Sequence, residues 1–466
     1  MNILKIRWDQ MPSILTASSQ TESNVDLQEN KLILIWSFTT LLVVMNTTMF
    51  NVALPFVLKD FSLNSSTASW LVSGYSIMFA LSTLTFGRLS DFIPLSRLLL
   101  LGISILGIAS VIGFFSNHFF ILLGARILQA AGAGAVMGLG MIMAGRYIPL
   151  SRRGKAMAII ASAASLAFGL GPIIGGVITQ YLGWNYLFVV TGFSVLSIPF
   201  FQKLLPKEVI KKGHFDLFGA ILTGLSVTGL LLFLSTFSYG ILLGTVILFV
   251  IWWSYLNKIK EPFIPPILLR NTQYTKLLFI GCSAFFINFS NLFLMPIILT
   301  TVFGKGPAEI GMIIFPGAII AVIAGQFIGR LIDRFGNAPL IIFGQLFLLS
   351  ATILFSLLST LNPYFILSIY MFASVGFTAL STSISNEITR ILPITQIGSG
   401  IGIIQLMQFF GAGLGVTISG LLLTIQESLF SEIVYRNIYI CFSFVILIAV
   451  IIYGLYYRRA MLKQPS

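Results

Sequence analysis

Charge is what this chain has least of. Asp, Glu, Lys and Arg make up 9% of its 466 residues, where a soluble domain carries roughly a quarter, so the chain cannot cover a water-soluble fold of this length in polar surface. Residues that commonly do chemistry are scarce as well. The two cysteines and two histidines show no metal-ligand or redox spacing, and Cys282 and Cys441 both fall inside apolar runs, where they read as inert packing residues. No phosphate-binding glycine loop is present, which argues against direct drive by ATP. An enzyme is therefore not expected, and no cofactor is called for. Acids are the rarer charged group, fourteen in all, and none falls in the middle of an apolar run.

What the chain has instead is apolar length. Hydrophobic residues make up 57% of it, in runs of roughly 17–25 residues, the length needed to cross a hydrocarbon core ~30 Å thick. The spans read as 32–55, 68–87, 98–115, 119–145, 156–179, 186–202, 217–238, 241–256, 277–302, 309–329, 340–360, 364–386, 398–425 and 438–457, fourteen in all. Basic residues orient them. With the N-terminus in the cytoplasm, 23 of the 27 Lys and Arg face inward, Lys59, Lys305 and Arg436 face outward, and Arg126 lies within a span. That bias is the positive-inside pattern, so the net charge of +13 is a topology signal and not a nucleic-acid surface. Residues 16–30 are neither apolar nor strongly basic, so no cleavable signal peptide is expected and the first span inserts the chain. Both termini are then cytoplasmic.

The run Gly87-Arg88-Leu89-Ser90-Asp91 returns 242 residues later as Gly329-Arg330-Leu331-Ile332-Asp333, and in that register Leu98 and Gly102 meet Leu340 and Gly344. Each copy sits in a short polar break between two apolar runs. Two similar halves around a midplane site is a common build for secondary transporters. The offset exceeds six spans by about one helix pair, which locates an insertion. The expected organisation is a tail 1–31, a six-span half 32–202, an inserted pair with its basic connectors 203–276, a second six-span half 277–457, and a tail 458–466.

Three motifs carry the chemistry. In the loop run, Gly87 permits close helix approach, Asp91 can cap a helix or pair with Arg88 or Arg97, and Pro94 stops the helix from continuing. Two copies at matching places point to a conformational latch. In the fourth span Arg126, with Gln129 one turn later, puts a guanidinium at membrane depth, which is costly unless it faces a partner or a wet cavity. The fifth span carries Gly169-Leu-Gly171-Pro172-Ile-Ile-Gly175-Gly176, where small residues allow close helix contact and Pro172 kinks the helix.

These motifs resemble those of the major facilitator superfamily: the loop acid that locks one state, the fourth-helix arginine associated with proton coupling, and the fifth-helix antiporter motif of exporters. Gly183-Trp184-Asn-Tyr-Leu-Phe188 fits the same pattern. Fourteen spans resemble the second group of drug:proton antiporters. Asn46-Thr-Thr-Met-Phe-Asn51-Val-Ala-Leu-Pro55, Arg146-Tyr-Ile-Pro149, Arg153-Gly-Lys155-Ala and Gly213-His-Phe-Asp216 are similar to Gram-positive phenicol exporters and, more distantly, to class K and L tetracycline exporters. The resemblance implies an all-α integral membrane protein with the major facilitator fold, two six-helix halves plus the inserted pair. Its partners would be a small-molecule drug, protons and the lipid bilayer of a bacterial cell membrane. It is expected to act as a monomer.

The departures from the resemblance narrow the cargo. Where tetracycline exporters place intramembrane Glu residues, this chain aligns Thr47, Phe168 and Ala412. A cationic cargo would need a buried carboxylate, because an unpaired charge in a dry cavity is expensive. A neutral amphipathic drug fits better, with chloramphenicol and florfenicol foremost. Neutral polar side chains are the candidates to line its cavity: Asn46, Asn51, Gln129, Asn288, Asn291, Gln405 and Gln408, with Phe285, Phe286, Phe289 and Phe293 as apolar walls. Because no mid-span acid is available, Asp91, or Glu387 beside Arg390, would have to titrate, or drug and proton would compete through Arg126. A tetracycline or multidrug exporter is the neighbouring alternative. A sensor built on a transporter scaffold is the distant one, and the retention of both loop motifs and Arg126 argues against it.

Overall fold

The protein is described by a computed structural model covering residues 11–206, 208 and 215–461. Gly213 and His214 of the exporter-like run lie outside the described residues, as do residues 1–10 and 462–466 of the two tails. Among the described residues every regular element is helical. In chain order they are α1 (Met11–Asp60), α2 (Ser65–Leu89), α3 (Leu95–Phe114), α4 (Phe119–Tyr147), α5 (Leu150–Tyr181), α6 (Tyr186–Gly192), α7 (Ile198–Leu204), α8 (Leu217–Thr236) and α9 (Tyr239–Leu256). Then follow α10 (Pro266–Arg270), α11 (Thr272–Thr301), α12 (Pro307–Phe335), α13 (Asn337–Leu358), α14 (Pro363–Ile391), α15 (Ile394–Ile425) and α16 (Ser431–Met461). Among the described residues, fourteen stretches are long and apolar enough to cross a membrane. In lipid every backbone polar group must be satisfied within the segment, and helices do this.

The breaks between spans are short and chemically marked. Asn64 accepts from the Thr67 amide at 2.7 Å, Asp216 from Gly219 at 2.8 Å and Asn362 from Tyr364 at 2.9 Å, each quenching an orphan donor of the first turn. Pro94, Pro149 and Pro393 stand immediately before α3, α5 and α15, where a missing N–H costs nothing. Three details differ from the sequence reading. The segment before the first span is helical from Met11, so most of the expected tail 1–31 continues α1. The sixth span is not one helix, because a 3₁₀ turn at Phe193–Ser197 separates α6 from α7. The hairpin of the inserted pair breaks at Phe237, a left-handed residue with φ of 47°, and Ser238, just before Tyr239.

The two halves pack alike. α4 lies against α2 and α3, and α5 against α1; in the second half α14 lies against α12 and α13, and α15 against α11. A Cβ on Gly132 would collide with the Gly102 carbonyl, and one on Gly344 would fall 2.7 Å from the Gly376 carbonyl. The same glycine-to-glycine crossing therefore recurs, α3 on α4 and α13 on α14. The halves meet along two seams, α2 with α15 and α5 with α12, and α8 lies across the first of them, touching both helices.

Candidate functional site

Arg126 is 1% exposed in the interior of the first half. Its Nη1 donates to Asn46 Oδ1 at 3.1 Å and to Gln129 Oε1 at 3.2 Å, Asn46 Nδ2 donates to the same Gln129 oxygen at 3.3 Å, and Gln129 Nε2 donates to Ser110 Oγ at 3.0 Å. The guanidinium is sandwiched between the rings of Phe50 and Tyr75, with its carbon 4.2 Å from each centroid. Insertion of an Arg at mid-membrane costs ~3 kcal/mol. Two desolvated cation–π contacts of ~1–2 kcal/mol each and hydrogen bonds from a charged donor at ~1.5–3 kcal/mol each offset that cost without a carboxylate. None of the described acids pairs with Arg126.

A cavity of about 540 Å³ lies toward the second half, between α1, α5, α11, α12 and α14. Its walls include Thr48, Phe168, Phe285, Asn288, Phe289 and Tyr370, and among the described residues no charged side chain lines it. The lining residues Ser162, Gln326 and Thr382, nearest the ends of their helices that carry Arg330 and Arg390, are exposed, while Thr48, Leu292 and Tyr370 at the far end are not. Repeat symmetry explains where the space comes from. In the register set by Gly132 and Gly376, Arg126 corresponds to Tyr370; in the register of the loop motif, Tyr75 corresponds to Gly317. Arg126 rests on Tyr75, and Tyr370 lies so close over Gly317 that a Cβ there would collide with its ring. One half therefore has its site filled by a cation and a ring, whereas the other leaves it hollow.

The cavity opens on one side only because of the fifth-span glycines. A Cβ on Gly175 would fall 2.7 Å from Met49 Cα, and Cβ atoms on Gly171 and Gly176 would collide with Thr48 and with the Pro307 carbonyl. Pro172 puts its carbonyl against Gly311, and a Cβ on Gly169 would fall 3.7 Å from Ala318 Cβ, in ordinary contact. α5 thus closes tightly on α1 and on the start of α12, far from the exposed mouth. The α2–α15 seam is held at both ends, by Arg88 donating to Ser399 Oγ at 3.1 Å and by the Ser66 amide donating to Thr424 Oγ1 at 3.2 Å.

Residues 36–386 and 277–465 both match the Major Facilitator Superfamily family model, and together they span nearly the whole chain. The chain belongs to the major facilitator superfamily. Among its relatives, the riboflavin transporter RibZ of Clostridioides difficile (strain 630) is 27% identical over 75% of this chain and 78% of its own. The methylenomycin A resistance protein of Bacillus subtilis (strain 168) is 26% identical over 71% of this chain and 74% of its own. Among solved structures, a bacterial homologue of the human lysosomal transporter Spinster, in an inward-facing and occupied conformation, superposes with a TM-score of 0.68 at 15% identity, covering 94% of this chain and 98% of that one. A POT family transporter in complex with 5-aminolevulinic acid gives 0.69 at 15% identity, covering 92% and 96%. These similarities establish a multi-pass transporter fold of the superfamily.

On that scaffold the structure redistributes the polar residues expected to line the cavity. Only Asn288 does so. Asn46 and Gln129 belong to the Arg126 cluster. Asn51 and Asn291 are buried with both amide atoms unpartnered, Gln408 has an unpartnered amide nitrogen, and Gln405 is half-buried on α15. None of these four lines the cavity. Of the phenylalanines, Phe285 and Phe289 form walls, whereas Phe286 and Phe293 are buried in helix packing. Ser162, Ser165, Thr378 and Thr382 were missed, because isolated hydroxyls in a span look like backbone-bonded residues, and so was the Gln326 amide. A usable signal was present in a second repeat, Gly413-Leu-Gly415-Val-Thr-Ile-Ser419-Gly420, which mirrors Gly169–Gly176 and sets α5 on α15.

The superfamily's loop residues also take partners other than those expected. Asp91 pairs with Arg146 of α4 at 3.4 Å and not with Arg88, which reaches Ser399, or with Arg97, which is exposed. The second copy is unlatched: Asp333 is exposed with no basic partner among the described residues, and Arg330 leans over the Phe327 ring at 5.9 Å. The enclosed acid at that end of the second half is Glu387, 4% exposed, which accepts from Asn337 Nδ2 at 2.7 Å, from Arg390 Nε at 2.9 Å and from the Tyr456 hydroxyl. Arg390 and Arg146 are repeat partners. In the first half the corresponding acid is Glu208, which accepts from the Leu95 amide at 2.8 Å and pairs with Arg146 at 3.5 Å.

Partial burial by itself would raise the Glu208 carboxyl, but the Leu95 amide, the nearby Tyr147 hydroxyl and the Arg146 guanidinium outweigh it and hold the group below the ordinary carboxylate range. A folded-state value lower than the unfolded one stabilises the fold above about pH 4.3, and that contribution disappears as pH falls through the folded value. Wild type should therefore melt higher than Glu208→Gln at neutral pH, and the gap should begin to close below about pH 4.3 and vanish once the pH falls beneath the folded value. A gap independent of pH would show that the charge contributes nothing.

Proposed function

We propose that the protein exports neutral hydrophobic antibiotics, phenicols foremost, in exchange for protons across the bacterial cytoplasmic membrane. The observation that supports this reading is the cavity of about 540 Å³, walled among the described residues entirely by neutral side chains. Burying a cation there would go unrepaid, since none of the described acids faces it, and the Arg126 guanidinium makes the interior potential positive. The basic face is taken as cytoplasmic on the positive-inside bias, so the mouth at Ser162, Gln326 and Thr382 admits cargo from within. Rocking about the two seams would then part α5 from α12 at Gly176 and Pro307. The relative that confers methylenomycin A resistance supports a drug as cargo. A second reading, transport of riboflavin or a similar planar heterocycle, is favoured by the likeness to RibZ and by the ring walls of Phe285 and Phe289.

A drug-hypersensitive bacterium expressing the gene should become several-fold more resistant to chloramphenicol and florfenicol, little more resistant to tetracycline, and no more resistant to ethidium. A protonophore should abolish the efflux. Phe168→Glu, which puts an acid in the cavity wall, should weaken phenicol export and admit cations. Growth of a riboflavin auxotroph on low vitamin, without a phenicol phenotype, would select the second reading. Ethidium or tetracycline export by the unmodified protein would overturn the neutral-cargo argument.

A further inference from the structure

The two seams between the halves are repeat-related but filled differently. In the registers above, Phe79 of α2 corresponds to Ala321 of α12, and Phe409 of α15 corresponds to Ser165 of α5. Ala321 and Ser165 both line the cavity. At the equivalent place on the other seam, the Phe79 and Phe409 rings meet at 4.7 Å. The room that is cavity on one seam is therefore occupied by two rings on the other.

Those rings also complete a path. Phe409 lies 5.6 Å from Phe285 and 6.2 Å from Phe289, two walls of the cavity. Phe79 stacks on Tyr75 at 6.1 Å with 17° between the planes, and Tyr75 is one of the two rings holding Arg126. Each step is an aromatic or cation–π contact, and the step from Phe409 to Phe79 is the one that passes from the second half to the first. No hydrogen bond among the described residues joins the cavity walls to Arg126. We propose that Phe409 is a positioning residue that transmits occupation of the cavity to the Arg126 cluster. A cargo ring against Phe285 and Phe289 must shift or lock Phe409, and Phe409 in turn sets where Phe79 and Tyr75 sit on the guanidinium.

This rests on the cavity being the cargo site, but its test needs no knowledge of the cargo. In full-length protein carrying Cys282→Ala and Cys441→Ser, Thr378→Cys in the cavity wall is labelled with benzyl methanethiosulfonate as a tethered stand-in ring. Trifluoromethyl-phenylalanine at position 75 reports on the Arg126 cluster by fluorine NMR. Labelling should shift the position-75 resonance, and dithiothreitol should restore it. Phe409→Leu, which keeps apolar bulk, should label as completely and lose the shift, while Phe409→Tyr should keep it. A shift that survives Phe409→Leu, or no shift with Phe409 in place, overturns the proposal. A null drug-susceptibility result would instead overturn the cargo assignment and leave this outcome standing.

Discussion

Replacing Arg126 with Ala should abolish accumulation of drug against a gradient in everted vesicles while leaving a folded, membrane-inserted protein. The guanidinium is the one group that the Asn46 and Gln129 oxygens and the Phe50 and Tyr75 faces share. Removing it leaves buried acceptors short of a donor, at ~1–3 kcal/mol each, which a domain with cores as extensive as these can absorb in part. On the proposed coupling role, what Ala cannot supply is a charge whose hydrogen bonds and ring contacts would change together as the halves rock. Arg126→Lys should recover only a fraction of the activity, because an ammonium keeps the charge but lacks the flat fork that fits between two rings while reaching two amides. Wild-type accumulation by Arg126→Ala would remove Arg126 from the coupling account.

Glu387→Ala should behave in the opposite way, costing the fold before it costs transport. The carboxylate ties the start of α13, through Asn337, to the ends of α14 and α16, through Arg390 and Tyr456. Taking one partner from a buried pair costs roughly 3–5 kcal/mol. The lower end applies here, because the Arg390 side chain is 61% exposed and can turn to water. Thermal unfolding of the purified protein should shift downward strongly, with transport per folded molecule largely kept, since Glu387 does not line the cavity. Loss of drug-coupled proton movement at unchanged melting temperature would instead make Glu387 the proton carrier. That role was open to it on sequence grounds, and its enclosure by three donor residues argues against it. Asp91 is more open to solvent and pairs with Arg146 at 3.4 Å.

How far the sequence reaches can be judged from particular residues. Composition and run length determine a membrane protein with fourteen apolar stretches, because the bilayer tests each stretch one at a time for length and polarity, and both quantities are local. The return of Gly87-Arg-Leu-x-Asp at Gly329 shows the two halves, and the glycines of the fifth span announce a close crossing, since a missing side chain has the same meaning wherever its neighbour lies. The cost of Arg126 at depth marks it as special before any partner is known. Partners are another matter. Asp91 finds Arg146, 55 residues away, in preference to Arg88 or Arg97 nearby, because helix direction and not chain distance decides which side chains share a face. Asn46 turns to Arg126 while Asn288 faces the cavity, a difference of rotation about the helix axis that the residue type does not carry. The cavity itself is a difference between two nearly equal halves: Tyr370 over Gly317 where Arg126 meets Tyr75, and Ser165 with Ala321 where Phe409 meets Phe79. Each member of those pairs is an ordinary membrane residue, and only the packing of five helices around them turns small side chains into a cavity.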